Sequence, residues 1–319
     1  DDEIQELGGR IFRINNSNPI YRSIKLSKLI KKENPFHAVH CHMLFSNAFH
    51  ILAAYFAKTD IRISHSHNTS DVNSKTVFGR LYQNISRVIM KKFSTHFIAC
   101  GEAAGKFLFP NNNKIENLLN AIDVESFSDN RLQNSGFLKE EFHLDTDMII
   151  ITQIGRISPV KNHKFTIEFA EYLKKKKHKF IIMIVGSGPL KSELNNFIEE
   201  KKLNNSIKFL GTRSDIPNIL AGTDLMIMPS FHEGFPVVLV ESQATGVPSL
   251  ISDNITLEVD MGLKLVAFAN LDDDFSVWET KLLEILHQKK VSPSERLDKL
   301  SDKGFNINNS IRKLENIYG

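Results

Sequence analysis

Two cations, Arg156 and Lys161, follow a short apolar run in the segment Gly-Arg-Ile-Ser-Pro-Val-Lys-Asn and straddle Pro159. A turn at that proline lets both converge on one anion instead of lining one helix face, and a diphosphate would suit them. Two surface charges at a strand end are the plain alternative. Farther on, the apolar run Leu225 to Met228 is followed by Pro-Ser-Phe-His-Glu-Gly-Phe-Pro-Val-Val-Leu-Val-Glu-Ser, with carboxylates at Glu233 and Glu241. Gly234 permits an unusual backbone turn, and Pro236 suits the first position of a helix, where a missing amide hydrogen costs nothing. The amides of Val237, Val238 and Leu239 would then point from a helix N-terminus toward an anion. By propensity Val237 to Val240 form a strand, whereas Gly246 falls where a helix C-cap belongs, so the local pattern leaves both open. Glu233 and Glu241 could accept hydrogen bonds from sugar or ribose hydroxyls. A helix-start glutamate plus an exposed one is the structural alternative.

Histidines recur at two-residue spacing, His40 with His42 and His65 with His67, which puts each pair on one strand face. Neither cysteine nor carboxylate stands beside them at ligand spacing, so neutral hydrogen-bonding imidazoles are expected and no metal. Gly186-Ser187-Gly188 follows an apolar run, but Lys191 occupies the third position of a dinucleotide-binding glycine motif. A tight turn near a bound nucleotide fits it better than a nicotinamide or flavin site.

Positioning these residues requires strands and helices in alternation. Strand candidates are Ala38 to His42, Ile61 to His65 and His96 to Cys100, then Ile149 to Ile154, Phe180 to Val185, Ile207 to Leu210, Leu225 to Met228 and Ser249 to Ser252. Helical periodicity fills the intervals, most clearly in Val77 to Phe93, and returns in Phe275 to Gln288 and Ile311 to Tyr318. This βα rhythm predicts an α/β fold with parallel sheets. Periodicity weakens over residues 126–147, which gather Ser, Asn, Asp and Gly, and an interdomain connection is expected there. The expected division is residues 1–143, 144–304 and a closing helix at 305–319 that packs back on the first domain. Two doubly wound halves would face a cleft at the carboxyl ends of their strands, where such sheets bind ligands.

The bulk properties agree. A chain of 319 residues exceeds a usual single core, and 41% hydrophobic with 24% charged residues describes a globular protein. A net charge of +3 gives no reason to expect a nucleic-acid partner, and the cluster Lys174 to Lys177 is expected at a solvated helix end. Only Cys41 and Cys100 occur, without metal-type spacing, which fits a reducing compartment. No apolar run reaches the ~18 residues of a transmembrane helix, and the first residues carry no signal-peptide pattern. A cytoplasmic protein is expected, with peripheral docking on a membrane left open.

The ordered set Gly155-Arg156 with Lys161, Gly186-Ser187-Gly188-Pro189-Leu190, Phe209-Leu210-Gly211, Pro229-Ser230, Glu233-Gly234-Phe235-Pro236 and Glu241 resembles the retaining family-4 glycosyltransferases of the GT-B fold. The likeness runs over nearly the whole chain, and Asn120-Ala121-Ile122-Asp123 is similar to a family segment that usually has glycine in place of Ala121. Arg62 to Asn68 and Ile251 to Thr256 look most like the bacterial capsular and exopolysaccharide branch. The resemblance implies two Rossmann-like domains. It also implies a sugar passed from a nucleotide-diphosphate donor, UDP before GDP, to a glycan or lipid-linked acceptor with retention of configuration. Arg156 and Lys161 would hold the diphosphate and Glu241 the ribose. Glu233 and the backbone of Gly234, Phe235, Pro236, Val237 and Val238 would grip the sugar and the β-phosphate. The base would lie near Gly211 and Thr212, and His67 would touch the donor sugar. No cofactor is implied. Asp145-Thr146-Asp147 and Asp272-Asp273-Asp274 match the acidic motif of metal-dependent sugar transferases, but linker polarity and helix-end charge explain them better. By its βα count the chain opens some ~50 residues into the family pattern, which implies an incomplete first domain. A nucleotide-sugar epimerase and a non-catalytic binding module are the alternatives on the same architecture.

Overall fold

The computed structural model describes residues 2–16, 18–33, 36–71 and 76–319. Two compact units divide the chain, Asp1–Leu119 with Arg312–Gly319, and Asn120–Ile311.

The first unit runs α1 (Asp2–Glu6), α2 (Pro19–Lys32), β1 (Ala38–Cys41), α3 (Asn47–Phe56), β2 (Ile61–Ser66), α4 (Val77–Phe93), β3 (His96–Ala99), α5 (Glu102–Leu108) and β4 (Ile115–Asn117). Its four strands are parallel in the order β1-β2-β3-β4. Asn18 starts α2 by accepting from the amides of Ile20 and Tyr21, with Pro19 at the first helical position, and Thr76 caps α4 through the Gly79 amide. Phe45, Ala48, Met90, Phe97 and Leu108 form one apolar cluster. Ile63, Ile98 and Leu118 form another, joined by Leu314, Ile317 and Tyr318 from the end of the chain.

The second unit contains α6 (Val124–Gln133), α7 (Phe137–Glu141), β5 (Ile149–Ile154), α8 (His163–Lys175), β6 (Phe180–Val185), α9 (Lys191–Glu200), β7 (Ile207–Gly211), α10 (Ile216–Ala221), β8 (Leu225–Met228), α11 (Val237–Thr245), β9 (Ser249–Ser252), β10 (Val266–Ala269), α12 (Phe275–Leu286) and α13 (Pro293–Asp302). The last helix, α14 (Ile307–Tyr318), begins here and ends in the first unit. Six parallel strands lie in the order β10-β9-β8-β5-β6-β7. The chain therefore starts mid-sheet at β5, builds outward through β6 and β7, then returns to β8 and builds the other way, a doubly wound sheet whose direction reverses between β5 and β8. Every residue of β6 and β8 is buried, as expected of parallel strands covered on both faces. Trp278 is fully buried beside Phe165 and Phe169, with its indole N–H donating to Asn270 O at 2.9 Å.

Residues 126–147 are not a connection. They belong to the second unit, and the division falls after Leu119 instead of near residue 143. The polar residues that weaken the periodicity there act as caps and ties. The Asp123 carboxylate accepts from the Ser126 amide to start α6, and the Arg131 guanidinium donates to the carbonyls of Ala221 and Thr223 at the end of α10. Val124, Phe127 and Leu138 are buried under this polar surface. The acidic triplets have structural partners: Asp147 pairs with Lys179, Asp273 accepts from the Asn270 amide, and Asp274 caps α12. Among the described residues no helix is long and apolar enough to cross a membrane.

If α7 is integral to the second unit, Leu138→Ala should cost about 2–5 kcal/mol through the cavity it leaves. Urea unfolding checks this: the midpoint should fall at unchanged slope, whereas a connection would tolerate the change.

Candidate functional site

The loops leaving β5 and β8 flank the reversal point of the second sheet, where open α/β sheets hold ligands. After β5 the chain passes Gly155 and Arg156, makes a short 3₁₀ turn over Pro159–Lys161, and enters α8 through Asn162 in the left-handed region at φ 51°. After β8 it passes Ser230 to Pro236 and enters α11. The two loops are tied directly, since the Phe231 amide donates to Val160 O at 2.9 Å.

Lys161 and Glu233 meet here, Nζ to Oε1 at 2.7 Å, with side chains only 17% and 12% exposed. The buried Oε1 of Glu233 is thus held by the Lys161 ammonium, which leaves the second carboxylate oxygen for other partners. The Lys161 stem lies against Gly155, where a Cβ would stand 3.3 Å from Lys161 Cε on a backbone at φ 150°. Arg156 is exposed, and among the described residues its guanidinium has no hydrogen-bond or ion-pair partner.

The loops after β6 and β7 close against the β5 loop. Ile157 N donates to Ser187 O at 2.9 Å and Gly186 N to Gly211 O at 2.7 Å. A Cβ on Gly186 would stand 2.0 Å from Gly155 O, and one on Gly188 2.0 Å from Ile157 O. Backbone lies on backbone, which only glycine allows. Gly211, at φ 71°, has open space where a Cβ would be, and the neighbouring Thr212 is exposed.

Val237 to Val240 are helical, and tertiary constraints explain why strand propensity loses. Pro236 stands at the N-cap, one position before the expected one, and Gly246 ends the helix at φ 78° with its amide and cap bonds to Ser242 and Gln243 carbonyls. Leu239, Val240 and Ala244 are fully buried. Gln243 ties the helix to the following loop by donating to Val259 O and accepting from Met261 N. Two expectations need correction. Gly234 does not adopt a left-handed backbone; its place is explained by open space around its Cα. The Leu239 amide is taken by Pro236 O at 3.0 Å, so only the amides of Val237 and Val238 lack a backbone or side-chain acceptor among the described residues. Phe235 stacks on Phe305, with ring centroids 5.2 Å apart.

Glu241 lies in the second turn of α11, half-buried, and its carboxyl has no partner among the described residues. Burial pushes its pKa up. Polar groups that were not legible in the sequence line the same strand ends. His163 is 2% exposed with neither ring nitrogen hydrogen-bonded, and burial, then the Lys161 charge, push its pKa down to about 4. The Ser230 hydroxyl and Gln153 Oε1 are also buried without partners, while Gln153 Nε2 donates to Lys161 O. Position at the ends of β5 and β8 was the available signal.

In the first unit the four histidines come together across β1 and β2, not merely along each strand. His42 Nδ1 is 2.8 Å from His67 Nε2, His40 Nε2 is 3.1 Å from His65 Nδ1, and His40 Nδ1 is 2.8 Å from the Tyr318 hydroxyl. Burial first, then mutual repulsion, hold His40 near about 4 and His65 near about 2; burial also lowers His42 and His67. All four shifts disfavour the protonated imidazoles. One nitrogen each of His40, His42 and His65 lie within 4.8 Å of one another, a grouping that two-residue spacing alone did not reveal.

Over its whole length, matching 84% of the relative, the chain is 36% identical to the putative glycosyltransferase EpsF of Bacillus subtilis. The chain belongs to the group 1 glycosyl transferases. The family's own pattern matches residues 135–260, which include the β5 and β8 loops. Among these glycosyl transferases, an Escherichia coli UDP-Gal:alpha-D-GlcNAc-diphosphoundecaprenol alpha-1,3-galactosyltransferase is 28% identical over 92% of this chain and 78% of its own. The crystal structure of Anabaena HepE in complex with UDP superimposes with TM-score 0.77 at 16% identity, covering 99% of this chain and 88% of that one. The architecture is therefore GT-B, two Rossmann-like parallel-sheet domains.

The raised pKa of Glu241 fixes the sign of a test. Its native form binds a proton more tightly than its unfolded form, so its contribution to stability is complete below about pH 4.3 and falls as pH rises through the raised native value. Glu241→Gln should therefore raise the melting temperature of the ligand-free protein at pH 7, and the gain should vanish near about pH 4. A variant that melts lower than wild type at pH 7 would show that an unseen partner holds the carboxylate.

Proposed function

We propose that this glycosyl transferase moves a hexose from a UDP-sugar to a lipid-linked or glycan acceptor, with retention of configuration, during assembly of a bacterial surface polysaccharide. One arrangement carries the proposal: Arg156, the Lys161–Glu233 pair and the free amides of Val237 and Val238 all belong to connections leaving the adjacent strands β5 and β8. Cleavage of a sugar–phosphate bond builds negative charge on the departing diphosphate. Fixed cations and helix-end amides stabilise that charge, on a scale of roughly 3 kcal/mol per preorganised donor.

The remaining roles follow from chemistry. Lys161 and Arg156 hold the diphosphate, with the Val237 and Val238 amides on the β-phosphate. Glu233, with Oε1 on Lys161, offers its second carboxylate oxygen to a sugar hydroxyl, and the unpaired Glu241 takes the ribose hydroxyls. The open spaces at Gly211 and Gly234 leave room for base and sugar. Cations do at this site what a divalent ion does elsewhere, so no metal cofactor is assigned to the donor. The preference for uridine is supported by the UDP-Gal donor of the Escherichia coli relative and the UDP bound by HepE. A lipid-linked acceptor is supported by that relative's diphosphoundecaprenol substrate, and surface polysaccharide by the capsular polysaccharide biosynthesis glycosyltransferase CapH of Staphylococcus aureus, 25% identical over the whole chain. Such a reaction belongs at the cytoplasmic face of the membrane.

Calorimetry should detect UDP binding in preference to GDP, and Arg156→Ala or Lys161→Ala should each weaken it by about tenfold or more, about 1.4 kcal/mol. Equal binding by the variants would remove the donor site from these residues. Product NMR separates the outcomes of turnover: an α-linked product from an α-linked donor supports retention, whereas epimerised donor in an acceptor-free reaction would replace transfer altogether.

A further inference from the structure

The first unit carries a surface that its core does not explain. On α4, Val77, Phe78, Leu81, Ile85 and Val88 are 71%, 86%, 57%, 50% and 66% exposed. At helical spacing they fall within an arc of about 100°. The opposite face, with Gln83, Ser86 and Met90, is the buried one. This is an apolar stripe turned outward on a helix that already has a separate face for the core. Arg80 and Lys91 border one side of the stripe and Lys92 extends it at the helix end, while Arg87 between them turns inward to donate to Phe107 O.

The pattern continues on the neighbouring helices. α3 packs between α2 and α4. On α2, which reads PIYRSIKLSKLIKK, Ile20, Tyr21 and Ile24 are exposed, as is Phe56 at the end of α3. A groove of about 400 Å³ between α2 and α3 is lined by Ile20, Ile24, Lys28, Phe49, Leu52 and Phe56. Across the sequences of α2, α3 and α4 there are five Lys or Arg in the first, none in the second and four in the third, and no Asp or Glu in any. The whole chain is nearly balanced, with 40 Lys and Arg against 37 Asp and Glu, so this helical layer is where positive charge is segregated.

We propose that the α2–α3–α4 face docks on an anionic lipid bilayer, with the α4 stripe entering the boundary between headgroups and acyl chains. Apolar side chains bordered by basic ones, on helices too short or too polar to span, are the signature of an interfacial surface. The charge decides between occupants. A second copy of this chain would set one acid-free basic face against another, whereas anionic lipid headgroups complement it. The inference rests on the proposed lipid-linked acceptor, because an enzyme serving such an acceptor has to meet it at the bilayer surface.

Co-sedimentation of the full chain with vesicles tests the surface, using phosphatidylcholine alone and phosphatidylcholine with an equal amount of phosphatidylglycerol. Binding to the anionic vesicles should exceed binding to the neutral ones by about tenfold or more and should weaken with added salt. The combined variant Phe78→Ser, Leu81→Gln, Ile85→Gln should lose most of that binding while retaining UDP affinity by calorimetry. An unchanged far-UV circular dichroism spectrum and an unchanged cooperative melting transition confirm that the first unit of the variant is folded, and UDP affinity reports on the second unit, outside the altered surface. No preference for anionic vesicles, an undiminished variant, or a dimer in sedimentation velocity that the variant abolishes would each overturn the proposal. Vesicle binding without UDP binding would leave this surface standing and remove the donor reading; the reverse would remove this surface alone.

Discussion

Where β5 and β8 lie side by side in register, Ile151 beside Leu225 and Thr152 beside Met226, their connections must leave toward opposite faces of the sheet. No helix can cover the gap between them at the carboxyl end. The loops that border the gap are the ones that carry Arg156, Lys161 and Glu233. Strand order thus creates the crevice, and the Phe231–Val160 backbone bond with the Lys161–Glu233 pair fixes its width. A mostly buried ion pair returns little net stability, because removing both charges from water costs several kcal/mol per ion. Its value is geometric: it holds an ammonium from the β5 loop against a carboxylate from the β8 loop.

The surrounding backbone is equally constrained. Gly186 and Gly188 lie flat on the Gly155 to Ile157 loop at distances that leave no room for a Cβ. Three successive strand ends are thereby locked into one layer, and a loop layer that cannot shift gives Arg156 a fixed point of departure. Helix α11 meets the layer from the other side of the reversal. Its residues favour a strand, yet as a helix it buries Leu239, Val240 and Ala244 fully, and Gly246 provides the left-handed residue needed to end it. Tertiary burial therefore decides where two bare amides will stand.

Much of this was legible because parallel strands buried on both faces read as unbroken apolar runs. Ile149–Ile154, Phe180–Val185, Leu225–Met228 and Ser249–Ser252 agree with the sequence reading residue for residue. Short or half-exposed elements were not legible. β4, with Ile115, Glu116 and Asn117, lacks such a run; the edge strand β10 has one in Leu265 to Ala269 that the sequence reading passed over, while α6 and α7 hide their apolar contacts among cap residues that resemble a linker. In the site, charged residues at strand ends announced themselves by type. His163, Ser230 and Gln153 did not, since their significance lies in burial without hydrogen-bond partners, which only the fold reveals.

Those buried groups also explain how the site is maintained. Each unsatisfied polar atom costs on the order of 1–3 kcal/mol, and a folded domain has only about 5–15 kcal/mol in total. Gln153 Oε1, both nitrogens of His163 and Ser230 Oγ cannot all be carried by a small or loosely packed core. The second unit offsets them with a six-stranded sheet covered on both faces and an aromatic cluster around Trp278. Gln153 and Ser230 stand at the carboxyl ends of β5 and β8, and His163 opens the helix that follows the β5 loop. A sheet of this size can therefore carry such groups at its carboxyl edge, beside the loops that hold Arg156, Lys161 and Glu233.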